Sequence, residues 1–196
     1  MASHIVLNEL NLPFELVLVD GASKRFSAGK DYRVVNPLGY VPTLELDDGA
    51  RLNENPALLI YLASLGSERD LAPATDALGA ARLHELLAFL SSELHKAFSP
   101  FFASPAIAGA AREAAVARLD PRLDQLEQRL ADGREYLLGG AFTVADAFAF
   151  VILGWTAHAG LTLDRRPLLA AFMERIGRRP SVGKALRAEG LVAEAA

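Results

Sequence analysis

Two short stretches of this sequence carry residue types whose spacing suits the capture of a peptide. Asn36-Pro37-Leu38-Gly39-Tyr40-Val41-Pro42 reads as a turn into a strand that begins with proline, and proline pushes the residue before it into an extended conformation. If the Val41-Pro42 bond is cis, the N–H and C=O of Val41 turn outward, where another peptide can pair with them. Farther on, Glu54 and Asn55 stand at the start of a helix opened by Pro56, where free N–H groups and the helix dipole favour a carboxylate. A short peptide with a free carboxylate and a free amine suits both places at once. The plain alternative for Glu54 is an acid in a first helical turn, stabilised by a few tenths of a kcal/mol, or roughly 0.3. His95 is a single histidine on a helix face, a position more often filled by a packed core residue. Lys24 sits in a polar, basic stretch where a solvated loop charge is the ordinary reading.

The elements that must position these residues are legible from periodicity. Ala2 to Asn11 carries Ile5, Val6 and Leu10 on a helical pattern, stopped by Asn11-Leu12-Pro13. Phe14 to Val19 alternates as a strand, ending at Asp20-Gly21. Gly21 to Asp31 reads as a loop carrying Lys24, Arg25 and Lys30, and Tyr32 to Val35 as a short helix. Thr43 to Glu45 and Ala50 to Leu52 form a hairpin around Asp48-Gly49, and Pro56 to Ser64 is a helix with Leu58, Leu59 and Leu62 inward. Gly66 to Thr75, with Pro73, is turn-rich and reads as a linker. Beyond Asp76 the chain turns Ala/Leu-rich: Leu83, Leu86, Leu87, Leu90 and Leu94 mark one helix face, and Leu119, Leu123, Leu126 and Leu130 the next. Thr143-Val144-Ala145-Asp146 is a capping box with Asp in place of Glu, and the helix it opens, Val144 to Ala159, is apolar nearly all round. Phe172, Ile176 and Leu186 supply a face of the closing helices, interrupted at Arg179-Pro180.

With 196 residues, 52% of them hydrophobic, the chain is long enough for one large domain or two small ones. A formal net charge of -4 gives no electrostatic footprint for nucleic acid. No apolar run approaches the roughly 20 residues of a membrane span, and a cytoplasmic location is expected. Cysteine is absent, which excludes disulfides and thiolate chemistry from the chain itself. His4, His84, His95 and His158 are too scattered to suggest a metal site, and no metal is expected.

Four pieces in order carry a resemblance. Asn36-Pro37-x-Gly39-x-Val41-Pro42, the Asp47-Asp48-Gly49 hairpin and Glu54-x-x-Ala57-x-x-x-Tyr61-Leu62-Ala63 resemble the glutathione-binding half of the cytosolic glutathione transferases. Ser92-Glu93-Leu94-His95-Lys96-x-Phe98-Ser99-Pro100 and Phe142-Thr143-x-Ala145-Asp146-Ala147 resemble the helical half of the bacterial beta class, so that the likeness runs from about Ala2 to Leu191. It implies an α/β thioredoxin-like N-terminal domain over residues 1–66, a linker over 67–75 and an all-α helical-bundle domain over 76–196. It implies glutathione as co-substrate, with Glu54 and Asn55 at its γ-glutamyl end, the Val41 backbone before Pro42 at its cysteinyl part, and Lys24 reaching it from the loop. His95 contacts its thiol or peptide and is the catalytic candidate. The second substrate is a hydrophobic electrophile near Phe98, Phe101 and Phe102, and the assembly a homodimer. Asn55 departs from the usual Ser, and Ala88 stands where relatives present a polar side chain across the dimer interface.

The resemblance also implies a first strand, inside the sheet between the second and third strands, that this chain lacks, along with the thiol-activating residue just after it. About a dozen residues would supply one strand and a turn. Losing two ladders at about 1 kcal/mol per bond is comparable with the stability of a domain, so a start placed too late, or a truncated product of impaired activity, is expected. Ser3 is the nearest hydroxyl to that place. The leading expectation is a glutathione transferase; the alternative is a non-catalytic binding or regulatory protein on that fold. A glutathione-dependent isomerase or dehalogenase stands behind both, because a fold does not fix a reaction.

Overall fold

The computed structural model describes residues 1–27, 29–66, 71–72 and 76–192. Helix α1, Ala2–Leu10, buries Ile5 and Val6 and stops at Asn11, whose left-handed backbone (φ 52°) lets its N–H and that of Leu12 close on the last turn. Asparagine is one of few residues besides glycine at ease in that conformation. The strand expected at Phe14–Val19 is not formed. Residues 12–18 run without a ladder, and only Val19 makes an isolated bridge, to Phe26. Phe14, Leu16, Val17 and Leu18 are exposed, Leu18 to 88%. Alternation specifies a pleated surface but not a neighbour, and a strand exists only where another backbone pairs with it.

The stretch read as a loop from Gly21 to Asp31 instead holds two short antiparallel strands, β1 (Arg25–Phe26) and β2 (Lys30–Asp31). The short helix follows as expected, a 3-10 turn at Tyr32–Val34 capped by the Asp31 carboxylate. Strands β3 (Thr43–Glu45) and β4 (Arg51–Asn53) pair antiparallel, Thr43 opposite Asn53 and Glu45 opposite Arg51. The second strand thus begins one residue later than expected. Gly49, at φ +83°, makes the turn between them. Helix α2, Asn55–Ser64, buries Leu58, Leu59 and Leu62.

The second half is helical, as its periodicity requires. Helix α3 (Ala77–Phe89) is capped by Asp76 and continues through a π-helical turn, Leu90–Leu94, into α4 (His95–Phe98). After a 3-10 turn at Ser99–Phe102 come α5 (Gly109–Arg129), α6 (Val144–Leu153), α7 (Trp155–His158), α8 (Pro167–Gly177) and α9 (Pro180–Ala188). The buried helix expected to run from Val144 to Ala159 therefore breaks at Gly154, a residue that weakens a helix interior by about 1 kcal/mol. Helix α6 is enclosed nearly all round, and its capping box is formed: the Thr143 N–H and O–H both donate to Asp146 Oδ2 at 2.8 Å. Asp146 Oδ1 accepts from the Leu137 N–H at 2.8 Å. Burial pushes this carboxyl up to about 6, against the pull of those three donors.

Most of the expected linker, residues 67–70 and 73–75, lies outside the described residues. Leu71 is buried, and its carbonyl accepts the Val144 N–H at 3.0 Å. One apolar core runs through both halves, joining Ile5 and Val6 to Leu59 and Leu62, and these to Leu86, Ala147 and Phe172. Helix α1 packs on α9 and α6 as well as on α2. Its Glu9, buried, takes two bonds of 2.8 Å from Arg179 and one from Ser181, while the Arg179 guanidinium lies 4.0 Å from the Phe142 ring centre. Among the described residues no helix is long and apolar enough to cross a membrane, and no group of three or more His, Asp or Glu is placed to hold a metal ion.

Candidate functional site

The turn from Asn36 to Pro42 is built by its own side chain. Asn36 Oδ1 accepts the Leu38 N–H at 3.2 Å, its carbonyl accepts the Gly39 N–H at 2.8 Å, and Gly39 adopts φ +66° where a side chain would be strained. The Lys24 stem lies over this glycine: a Cβ added at Gly39 would touch Lys24 Cδ at 3.6 Å. Lys24 is therefore beside the turn rather than adrift in solvent. The Val41-Pro42 bond is cis, and Val41 is 59% exposed. Neither its N–H nor its C=O makes a backbone bond among the described residues. A donor and an acceptor on one exposed residue, beside an extended chain, is the arrangement that takes up a peptide strand.

Strand β4 then delivers the chain to the start of α2. Glu54 holds φ 68°, ψ 117°, a backbone conformation unfavourable for a residue with a side chain. Such strain costs on the order of 1–3 kcal/mol and collects at ligand sites. Next to it, Asn55 Oδ1 is buried without a hydrogen-bond partner among the described residues. A buried acceptor left without a donor costs about 1–3 kcal/mol. The free N–H groups at the head of this ten-residue helix favour a carboxylate, and the Asn55 oxygen favours an N–H donor. Side by side, the two match the two charged groups of an amino-acid terminus.

His95 comes from the other half of the chain. Its ring is half-buried and meets Trp155 edge-on, centroids 5.0 Å apart. Burial lowers its pKa below the usual histidine value, the neighbouring Lys96 lowers it further, and the Glu54 carboxylate opposes both. The Glu54 carboxylate is thus near enough to act on the His95 ring. Beyond His95 lies an aromatic run: Phe98 at 5.9 Å and Phe102 at 5.2 Å from Trp155, with His158 stacked on Phe102 at 4.6 Å. Phe102 is 49% exposed and offers an apolar face to a ligand. Nothing local in the sequence marks Trp155 as a site residue; its place beside His95 comes from packing between elements. Ser3 is half-buried in the first turn of α1, and no described side chain bonds its hydroxyl. His84 is exposed on α3.

The family described as "Glutathione S-transferase, N-terminal domain" matches residues 2–65, and "Glutathione S-transferase, C-terminal domain" matches residues 109–175. The chain is 39% identical, over 191 residues covering 97% of it and 94% of the relative, to the Escherichia coli O157:H7 protein named glutathione S-transferase GstA. Over 97% of its length it superposes on a solved ternary complex of BphK, a bacterial GST, with a TM-score of 0.91 at 47% identity, covering 94% of that chain. A sphingomonad glutathione S-transferase solved with glutathione gives a TM-score of 0.90 at 46% identity, with the same coverage.

Proposed function

The chain belongs to the glutathione S-transferase family, and on that premise we propose that it joins the thiol of glutathione to a hydrophobic electrophile. The α-carboxylate of the γ-glutamyl end takes the N–H groups at the head of α2, with the glutamyl ammonium held between the Glu54 carboxylate and Asn55 Oδ1. The cysteinyl part pairs with the N–H and C=O of Val41, held in place before Pro42, and Lys24 offers its charge to the remaining carboxylate. Such an arrangement presents the sulfur toward His95. A thiol with a pKa near 8.5 is only a few per cent thiolate at neutral pH. Neutral His95 beside it accepts the thiol proton, and the thiolate attacks an electrophilic carbon lying against Phe102 and Trp155, from which the leaving group departs with its electron pair; Phe98, fully buried, backs this face rather than lining it. The observation that carries this reading is the pairing of a strained Glu54 with a buried, partnerless Asn55 oxygen, at the head of the helix that follows the free Val41 peptide.

Retention on immobilised glutathione is the test of binding. Glu54→Ala removes a charge-assisted contact of about 1.5–3 kcal/mol, or roughly tenfold or more in affinity. Unchanged affinity in calorimetry would overturn the assignment. Conjugation to an activated aryl chloride tests the reaction. A homodimer and a cytoplasmic location belong to the same family reading, and sedimentation checks the former.

A second reading, a non-catalytic glutathione-binding protein on this fold, is favoured by one observation. Phe14–Leu18, whose alternation reads as a strand of the glutathione-binding half, forms no ladder with any described residue. Measuring glutathione affinity and conjugation on the same protein separates the two: binding without turnover across several classes of electrophile would favour the module.

A further inference from the structure

Glutathione, as read above, is held at two points, the Val41 peptide and the head of α2, which belong to different loops. Between them runs a chain of partly buried polar contacts to which no role has been assigned. Asn36 Nδ2 donates to the Tyr40 carbonyl at 2.8 Å, and the Tyr32 hydroxyl reaches the same carbonyl at 3.2 Å. The Tyr32 O–H donates to Thr43 Oγ1 at 2.6 Å, and the Thr43 O–H donates to Asn53 Oδ1 at 2.6 Å. Tyr32 is 4% exposed and Asn36 is also buried, so neither contact is exchanged readily for water.

Two physical consequences follow. The Tyr40 carbonyl and the Val41 N–H share one planar trans peptide, in which C=O and N–H point in opposite directions. Asn36 Nδ2 pins this carbonyl from inside, with the single Tyr32 hydroxyl proton shared between it and the nearer Thr43 Oγ1, and so aims the Val41 N–H outward, toward the ligand. At the other end, Asn53 is the residue before Glu54, and it is tied through Thr43 to the same tyrosine. We propose that Tyr32, with Asn36, Thr43 and Asn53, is a positioning relay that aims the Val41 amide and fixes its distance from Glu54. None of the four need touch glutathione. The proposal rests on the glutathione-binding reading above, and it adds a reason why both anchors engage one ligand.

Tyr32→Phe is the direct variant, because it removes one oxygen and keeps the ring that packs edge-on against Phe26. Thr43→Val removes the second hydroxyl at nearly constant shape, and Thr43→Ser restores it. Glutathione affinity by calorimetry is expected to fall about fivefold in Tyr32→Phe and Thr43→Val and to recover in Thr43→Ser. Amide hydrogen exchange supplies the readout that a loss of stability would not mimic. Glutathione should protect the Val41 N–H in the starting protein, and this protection should be lost in Tyr32→Phe while the amides of Leu59 and Leu62 keep theirs. In a double-mutant cycle, Glu54→Ala should cost less in the Tyr32→Phe background than alone. Wild-type affinity and Val41 protection in both Tyr32→Phe and Thr43→Val would overturn the relay and leave the binding reading standing. Failure of the starting protein to bind glutathione would overturn both.

Discussion

Glu54 and His95 are separated by most of α2, the linker and α3, yet they share one electrostatic environment. Burial and Lys96 hold the His95 pKa below its ordinary value, and Glu54 alone among its neighbours raises it. Glu54→Gln should therefore lower the imidazole pKa further, as measured by NMR titration of the ring protons; an upward movement would contradict the placement. Because the folded ring binds protons less readily than the unfolded one, its contribution is intact above the ordinary histidine pKa of about 6.5 and is lost as pH falls through that value toward the folded pKa. Asp146 acts in the opposite sense. Its carboxyl, raised from 3.8 to about 6, favours the protonated folded state, so stability from this group declines as pH rises from the unfolded value through about 6. Asp146→Asn cannot reproduce the bonds, since its amide nitrogen would face either the Thr143 N–H or the Leu137 N–H. We expect a loss of about 1–3 kcal/mol in urea unfolding, together with loss of that pH slope.

At the scale of elements, the helices were legible and the strands less so. The leucine stripes at 83–94 and 119–130 are buried as their spacing demands, because a helix satisfies its own backbone and needs only a face to hide. Residues Phe14 to Val19 carry an equally clear alternation but lie unladdered, because a strand depends on a partner that its own sequence does not contain. Apolar residues in the two settings should answer mutation differently. Leu18→Ser is expected to change stability by less than about 0.5 kcal/mol, whereas Ile5→Ala, in α1 and fully buried, should cost about 2–5 kcal/mol. Equal losses in thermal or urea unfolding would mean that the Phe14–Leu18 segment is covered in solution.

The whole molecule is held together across its two halves by more than a linker. Helix α1 belongs by sequence to the first half and by packing largely to the second, where the buried Glu9 meets Arg179 in a two-pronged pair. Arg179→Ala takes the guanidinium from a buried carboxylate and should cost about 3–5 kcal/mol. With the core continuous, tryptophan fluorescence and far-UV circular dichroism should report one coincident unfolding transition. A separate early transition of the first half, or a neutral Arg179→Ala, would show that the halves are fastened elsewhere.

Sequence by itself determined what is local. The turn at Asn36 to Pro42, the head of α2, the capping box at Thr143 and the helix faces follow from backbone preferences and periodicity within a few residues. The resemblance carried by those pieces pointed to the family. Tertiary structure alone decided what depends on residues distant in the chain. It set His95 within the field of Glu54, brought Trp155 against that ring, and linked Tyr32 to Asn53 through Thr43. It also left Phe14–Leu18 without a ladder. Each of these is a contact between elements, and its energy is absent from any single stretch of sequence until the core has closed around both partners.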